Sequence, residues 1–226
     1  HLDISYQGGE GVASLKNGTV VDLRCSACVF AYNNQTGERL ILTSARCFPK
    51  DLNAVLFYHM PWYHPEVTNF FGHLEHISYS TIDVTLIKRL DHDIDLTPQI
   101  RSSDGVLFIE SFVNNPTDVG QHICISGYEI LITCGRVSSL STRLSLTSLR
   151  GAADDRFPDG FKMEVFNVTI RDRDRGGTVF SYISSTGHQR VNVYGMVTHA
   201  YSQAHRVIYG GQPIGLTKIR HLREYV

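Results

Sequence analysis

About a dozen short runs rich in Val, Ile, Leu, Phe and Thr follow one another along the chain, separated by polar joints that contain Gly, Asn or Asp, and this spacing restricts the fold more than any other feature. The runs cover residues 20–23, 27–31, 40–43, 53–58, 84–87, 106–112, 122–126, 130–137, 161–168, 178–183, 191–198 and 207–208. Asn33-Asn34-Gln35-Thr36-Gly37, between two of them, reads as a hairpin turn. Only residues 217–225 show helical spacing. There Ile219, Leu222 and Val226 fall on one side, with Lys218, Arg220, Arg223 and Glu224 largely on the other. Alternating β-α units are absent, which removes the usual nucleotide folds and leaves an all-β barrel or sandwich with one terminal helix.

The 226 residues, 42% of them hydrophobic, suffice to bury a full-size core, and no internal repeat is visible. Residues 91–103, DHDIDLTPQIRSS, are polar, hold one proline and lie near the middle, so they read as a linker between two β units. Gly151-Ala152-Ala153-Asp154-Asp155 and Pro158-Asp159-Gly160 read as an exposed loop. Lys and Arg total 21 against 22 Asp and Glu, with a pI near 6.9. That balance argues against a nucleic-acid groove or a polybasic membrane anchor, and no apolar run is long enough for a spanning helix. The first residue, His1, suggests a processed chain.

Cys25, Cys28, Cys47, Cys124 and Cys134 are odd in number, so at least one stays outside the intrachain bridges. Cys124 and Cys134 suit a short loop, and Cys47 can close on either Cys28 or Cys25. In the chain-entropy account each such bridge contributes roughly 3 kcal/mol. Three N-x-[ST] triplets, at Asn17, Asn34 and Asn167, join the cysteines in favouring a secreted, extracellular glycoprotein. Cys25-x-x-Cys28 lacks the second pair that a zinc knuckle requires.

Four segments carry a resemblance. Leu42-Thr43-Ser44-Ala45-Arg46-Cys47 resembles L-T-A-A-H-C, Ile82-Asp83-Val84-Thr85-Leu86-Ile87 resembles D-[IV]-A-L-[IL], and Arg173-Asp174-Arg175-Gly176-Gly177-Thr178-Val179-Phe180 resembles G-D-S-G-G-P-[LV]-F. Cys124-Ile125-Ser126-Gly127 with Thr133-Cys134-Gly135-Arg136-Val137 resembles C-x-S-G followed by C-G-x-[VI]. Together and in this order they are similar to the chymotrypsin-like serine proteases, the last pair to the streptogrisin and alpha-lytic type. The resemblance implies one peptidase-like domain over residues 1–226. It would hold an N-terminal six-stranded β-barrel at about 15–98, a C-terminal one at about 104–216 and a helix at about 217–225. In the family the cysteine after the general base is bridged to the preceding strand. Cys28 lies in the run 27–31, so Cys28–Cys47 is expected beside Cys124–Cys134, leaving Cys25 as a buried thiol or an intermolecular link.

The departures from the family pattern bear on chemistry. Arg46 stands at the general-base position and Arg175 at the nucleophile position, while Asp83 keeps the place of the orienting carboxylate. A guanidinium stays protonated and has no acceptor atom, so neither arginine can take a hydroxyl proton or attack a carbonyl. Arg173 replaces the glycine whose N–H helps form the family's oxyanion hole. The expected conversion is an ion pair between Arg46 and Asp83. Asp174, held in active relatives by an N-terminal amine or an internal arginine, is expected to find Arg136.

Further candidates lie outside the triad positions. Residues 191–201 resemble the strand that receives substrate in the family, which makes His199 and Tyr201 candidate binding residues and His199 a candidate for favouring an acidic side chain. Tyr209-Gly210-Gly211-Gln212-Pro213 resembles the segment closing the specificity pocket. Trp62 and Tyr63, in an exposed loop, would make a protein-binding anchor. His59, His64, His73 and His76, with His92 beyond, are weak metal candidates, and His1 weaker still. Residues 171–175, RDRDR, alternate in sign over the expected cleft.

These features point to a catalytically inactive protease homologue, secreted, free of cofactor and acting by binding another secreted or cell-surface protein as decoy, competitor or regulator of proteolysis. The alternatives are a metal-dependent or other non-serine hydrolase built on the histidines, and a carbohydrate- or surface-binding module built on the aromatics.

Overall fold

The structure, a computed structural model, describes residues 4–16, 19–48, 55–64, 69–79, 83–113, 115–146, 155–166, 172–183, 189–203, 206–212 and 222–224. The strands form two curled sheets. In the first, β2 (Gly11–Lys16), β3 (Thr19–Ser26), β4 (Phe30–Asn33), β5 (Arg39–Thr43), β6 (Leu56–Met60), β7 (Asn69–Ser78) and β8 (Val84–Arg89) run in the order β4-β5-β8-β7-β6-β2-β3. The chain between β3 and β4 also bonds to β5, with Cys28 N–H donating to Leu42 and Leu42 N–H to Val29, which brings the two ends of this sheet together.

The second sheet holds β1 (Ile4–Gly8), β9 (Ile94–Ser102), β10 (Gly105–Phe112), β11 (His122–Gly127), β12 (Leu131–Leu146), β13 (Asp155–Phe166), β14 (Thr178–Tyr182), β15 (Arg190–Gln203) and β16 (Arg206–Gln212). Within it β15, β14, β11, β12, β13 and β16 pair in a closed ring, because β16 returns to β15. Closure leaves that ring without a free edge.

Alternation along the strands sorts the apolar side chains into three cores. Tyr6, Phe30, Ile41, Phe57, Phe71 and Ile87 fill the first barrel, and Ile123, Ile125, Phe161, Val179 and Val197 the second. A third cluster, with Cys28, Leu42, Leu86, Ile109, Phe180 and Val193, joins strands of both sheets and holds the barrels together. Each fully buried side chain of this size contributes about 1.5–3 kcal/mol by leaving water.

Several sequence expectations are corrected. Leu222–Glu224, within the expected C-terminal helix, is a strand (β17) antiparallel to β4, pairing Leu222 with Asn33 and Glu224 with Ala31. The rest of that segment lies outside the described residues, which contain no α-helix. Three apolar positions at helical spacing are a weak signal, and the open edge of β4 offers backbone partners that an isolated helix end lacks. Residues 94–102 are a strand rather than a linker. They pair with β1 and β10, and Ile94, Leu96 and Ile100 are buried at alternating or equivalent positions. This strand spans the expected barrel boundary near residue 98 and belongs wholly to the second sheet. Pro158-Asp159-Gly160 likewise lie in β13, where register shifts against β12 absorb residues that break a regular ladder. The joint 33–37 is the turn that its sequence implies. Asn33 Oδ1 accepts the N–H groups of Gln35 and Thr36, and Gly37 takes a φ of 72° that favours glycine.

Candidate functional site

The site lies where a turn of the first barrel meets a turn of the second. Ser44 caps a single 3-10 turn, Ala45–Cys47, that follows β5 and presents Arg46. Asp83 precedes β8, the strand beside β5, which sets its carboxylate under that turn. Fully buried, it accepts the Ser44 hydroxyl on Oδ2 at 2.6 Å and the Arg46 backbone N–H on Oδ1 at 3.1 Å. The Arg46 guanidinium reaches it through Nε at 4.0 Å. Burial pushes the Asp83 carboxyl above its ordinary value, against the Ser44 hydrogen bond, the Arg46 charge and the backbone donors of residues 45 and 46. The expected pairing of Arg46 with Asp83 is thus present, beside a hydroxyl and a backbone donor on the same carboxyl. Sequence reasoning missed Ser44, although its replacement of alanine in the quoted segment was the available signal.

The opposing turn begins with a short 3-10 segment, Asp172–Asp174, and passes through Gly176 at φ 84° into β14. A side chain at Gly176 would run into the Ser26 carbonyl and the Thr43 hydroxyl, so both its conformation and its surroundings demand glycine. Asp174 is fully buried, and its Oδ1 accepts the backbone N–H groups of Glu129 and Ile130, each at 2.9 Å. Arg136, expected as its counterion, instead donates to the Gly120 carbonyl at 2.9 Å, on the far part of the β11–β12 hairpin. Within the alternating run 171–175, Asp174 is therefore buried, and Arg173 pairs with Glu129 at 2.9 Å.

The two turns clasp each other. Ser26 N–H donates to the Arg175 carbonyl at 2.8 Å, and Ser26 Oγ donates to the Arg173 carbonyl at 2.9 Å while accepting the Tyr128 N–H. Thr43 Oγ1 donates to the Ser26 carbonyl at 2.8 Å. Cys47 Sγ lies 3.8 Å from the Arg175 carbonyl. The turn that carries Arg46 thus meets both buried Asp83 and the backbone of Arg175, residues far apart in sequence. Among the described residues no Ser-His-Asp arrangement is formed here.

The bridges are Cys25–Cys47 and Cys124–Cys134, and Cys28 is the buried free thiol. This corrects the expected Cys28–Cys47 pairing, and the reason is side-chain direction. Cys25 and Cys47 both point into the first-barrel core, whereas Cys28 points out of that barrel into the cluster between the two, with Sγ directed at the Gly195 carbonyl. Burial raises the Cys28 thiol pKa far above its ordinary value, so it is an inert thiol.

Other candidates separate. Trp62 is buried with Nε1 donating to the Gly9 carbonyl at 2.8 Å, so it is a structural plug rather than an exposed anchor, while Tyr63 beside it is 70% exposed. His59 is buried against the Tyr6 ring with Nε2 3.1 Å from Glu10, and His64, His76 and His92 are exposed elsewhere. Among the described residues these histidines, including His73, form no metal-ligand group. Backbone pairing places His199 opposite Gly210 and Tyr201 opposite Ile208 on β15 and β16, and their side chains lie outside the described set. Asn34 is exposed in its turn, while Asn17 and Asn167 lie outside the described residues. No described helix is long and apolar enough to cross a membrane.

No protein-family model matches the sequence, and no curated protein matches it. Solved structures do. A glutamic-acid-specific serine protease, described as using a novel histidine triad in substrate binding, matches with a TM-score of 0.70 at 18% identity, over 97% of this chain and all of its own. Nocardiopsis protease matches with a TM-score of 0.69 at 16% identity, over 98% of this chain and all of its own. Cellulomonas bogoriensis chymotrypsin gives 0.65 at 16% identity, over 98% of this chain and 99% of its own. At such identities the likeness is one of fold: the chain has the architecture of the chymotrypsin-like serine proteases.

Proposed function

We propose that this chain is a protease-fold protein without serine-protease chemistry, secreted, that binds another secreted or cell-surface protein and thereby acts as decoy, competitor or regulator of proteolysis. The observation that carries the reading is the convergence of Arg46 on buried Asp83 and of Arg175 on the same pair of turns. Neither arginine supplies a base or a nucleophile, and both add positive potential where the fold's active members bind peptide. Guanidinium groups there suit carboxylates, so the reading includes preference for an acidic segment of the partner. The two disulfides and the exposed Asn34 sequon support an extracellular setting. The histidine-based hydrolase and the aromatic-based surface module lose their support with the dispersal of the histidines and the burial of Trp62.

The test uses purified protein with an activated-serine fluorophosphonate probe and casein. No labelling and no hydrolysis are expected, also for Arg175→Ser, because Arg46 still cannot accept the proton. Stoichiometric labelling of the unmodified chain would overturn the reading. In parallel, capture of an acidic peptide should weaken in Arg175→Ala, and equal capture by both forms would remove the acidic preference.

A further inference from the structure

The Cys124–Cys134 bridge has a histidine beside it that the protease-like cleft does not use. Cys124 on β11 and Cys134 on β12 are directly opposed, with Cα atoms 3.9 Å apart. His122 precedes Cys124 by two residues, so the strand alternation puts its ring on the same face as both sulfurs. A ring nitrogen of His122 and the two Sγ atoms all lie within 4.8 Å of one another. The ring is exposed, with Cys134 half-buried and Cys124 buried beneath. Arg136, opposite His122 in the ladder, donates to the Gly120 carbonyl and is no competing ligand.

We propose that this face of the hairpin is a redox-gated site for a thiophilic divalent cation of the zinc type, held by His122, Cys124 and Cys134. In the oxidised protein the sulfurs are bonded to each other and cannot bind the ion. An external dithiol supplies two electrons and two protons, becomes a disulfide itself, and leaves thiols at Cys124 and Cys134. The cation then binds both as thiolates, releasing two protons, and takes the His122 ring as its third ligand. Tetrahedral ligation needs the two sulfurs about 3.7 Å apart with metal–sulfur bonds near 2.3 Å, a separation that side-chain rotation on paired strands supplies. The fourth position faces solvent through the exposed ring and takes water or an outside ligand. Sulfur and imidazole donors select zinc over calcium or magnesium.

The experiment starts from the Cys28→Ser variant, which removes the buried thiol as background. The folded protein is reduced with limiting water-soluble phosphine, and alkylation with mass mapping verifies that Cys124 and Cys134 are free while the buried Cys25–Cys47 bridge stays closed. Cobalt(II) is then titrated as a spectroscopic substitute for zinc. The expected result is a sulfur-to-cobalt charge-transfer band and tetrahedral ligand-field bands at one equivalent, absent before reduction, with affinity at least tenfold weaker in His122→Ala. If reduction unfolds the protein, zinc addition should restore its circular dichroism, more effectively with His122 present than in His122→Ala. Absence of the charge-transfer band in folded reduced protein, or equal behaviour of the two forms in either measurement, would overturn the site. None of these readouts depends on binding at the arginine cleft.

Discussion

On the first-barrel side of the cleft, Asp83 is fully buried and held by the Ser44 hydroxyl and backbone N–H groups, with the Arg46 guanidinium paired to it. On the second-barrel side, the turn 173–177 keeps its glycine at φ 84°, its buried Asp174 and its carbonyls clasped by Ser26. The first side retains a polar centre whose charge is costly to bury. The second retains a backbone shape whose contacts join the barrels. The shape of such a turn therefore serves stability whatever groups it carries, because its contacts hold the two barrels together.

The largest effect is expected where the backbone shape is broken. Gly176→Val should cost more than about 3 kcal/mol in denaturant unfolding, because the residue needs positive φ and a side chain would meet the Ser26 carbonyl and the Thr43 hydroxyl. A loss below about 1 kcal/mol would mean that the turn can relax, and would erase the contrast with the first side.

The polar centre should show itself in pH dependence. Because burial raises the Asp83 carboxyl above its unfolded value of about 3.8, the folded state binds the proton more tightly than the unfolded chain. This group's favourable contribution is therefore complete below the unfolded value and is lost as pH rises through the raised folded one. Asp83→Asn should flatten that part of the stability profile, read as the difference between wild-type and variant melts from pH 3 to 7. A profile in which wild type gains on the variant as pH rises would reverse the sign and make Arg46 the dominant neighbour.

Next in size, Ser44→Ala removes the shortest bond to a buried carboxylate and should cost about 2 kcal/mol, with Arg46→Ala costing less, about 1 kcal/mol. A larger loss for Arg46→Ala would show that its charge carries the site. The smallest effect belongs to Arg173 and Glu129, a pair partly exposed to solvent. A double-mutant cycle should give a coupling below about 1 kcal/mol that fades with added salt.

Much of the architecture was legible in the chain. Short β runs with turn residues between them implied two β units, and the four ordered segments pointed to the fold that the solved structures share. Local chemistry was readable where it acts locally, as in the Asn33–Gly37 turn. Reading failed where a segment's character depends on a distant partner. β7, NFFGHLEHIS, reads as clustered histidines because its burial between β6 and β8 follows no regular alternation. β9 looked like a linker because a proline and charged residues mask an edge completed by β1 from the chain's start.

The same division holds at the site. Residue types alone determined that no proton acceptor or nucleophile stands at positions 46 and 175, since the guanidinium has neither capacity in any fold. Tertiary structure decided which cysteine meets Cys47, which donors satisfy Asp83 and where Arg136 goes. Each of those depends on the side a strand turns toward a partner, and a single step along a strand reverses that side: Cys25 faces the first core and Cys28, three positions on, faces the cluster between the barrels.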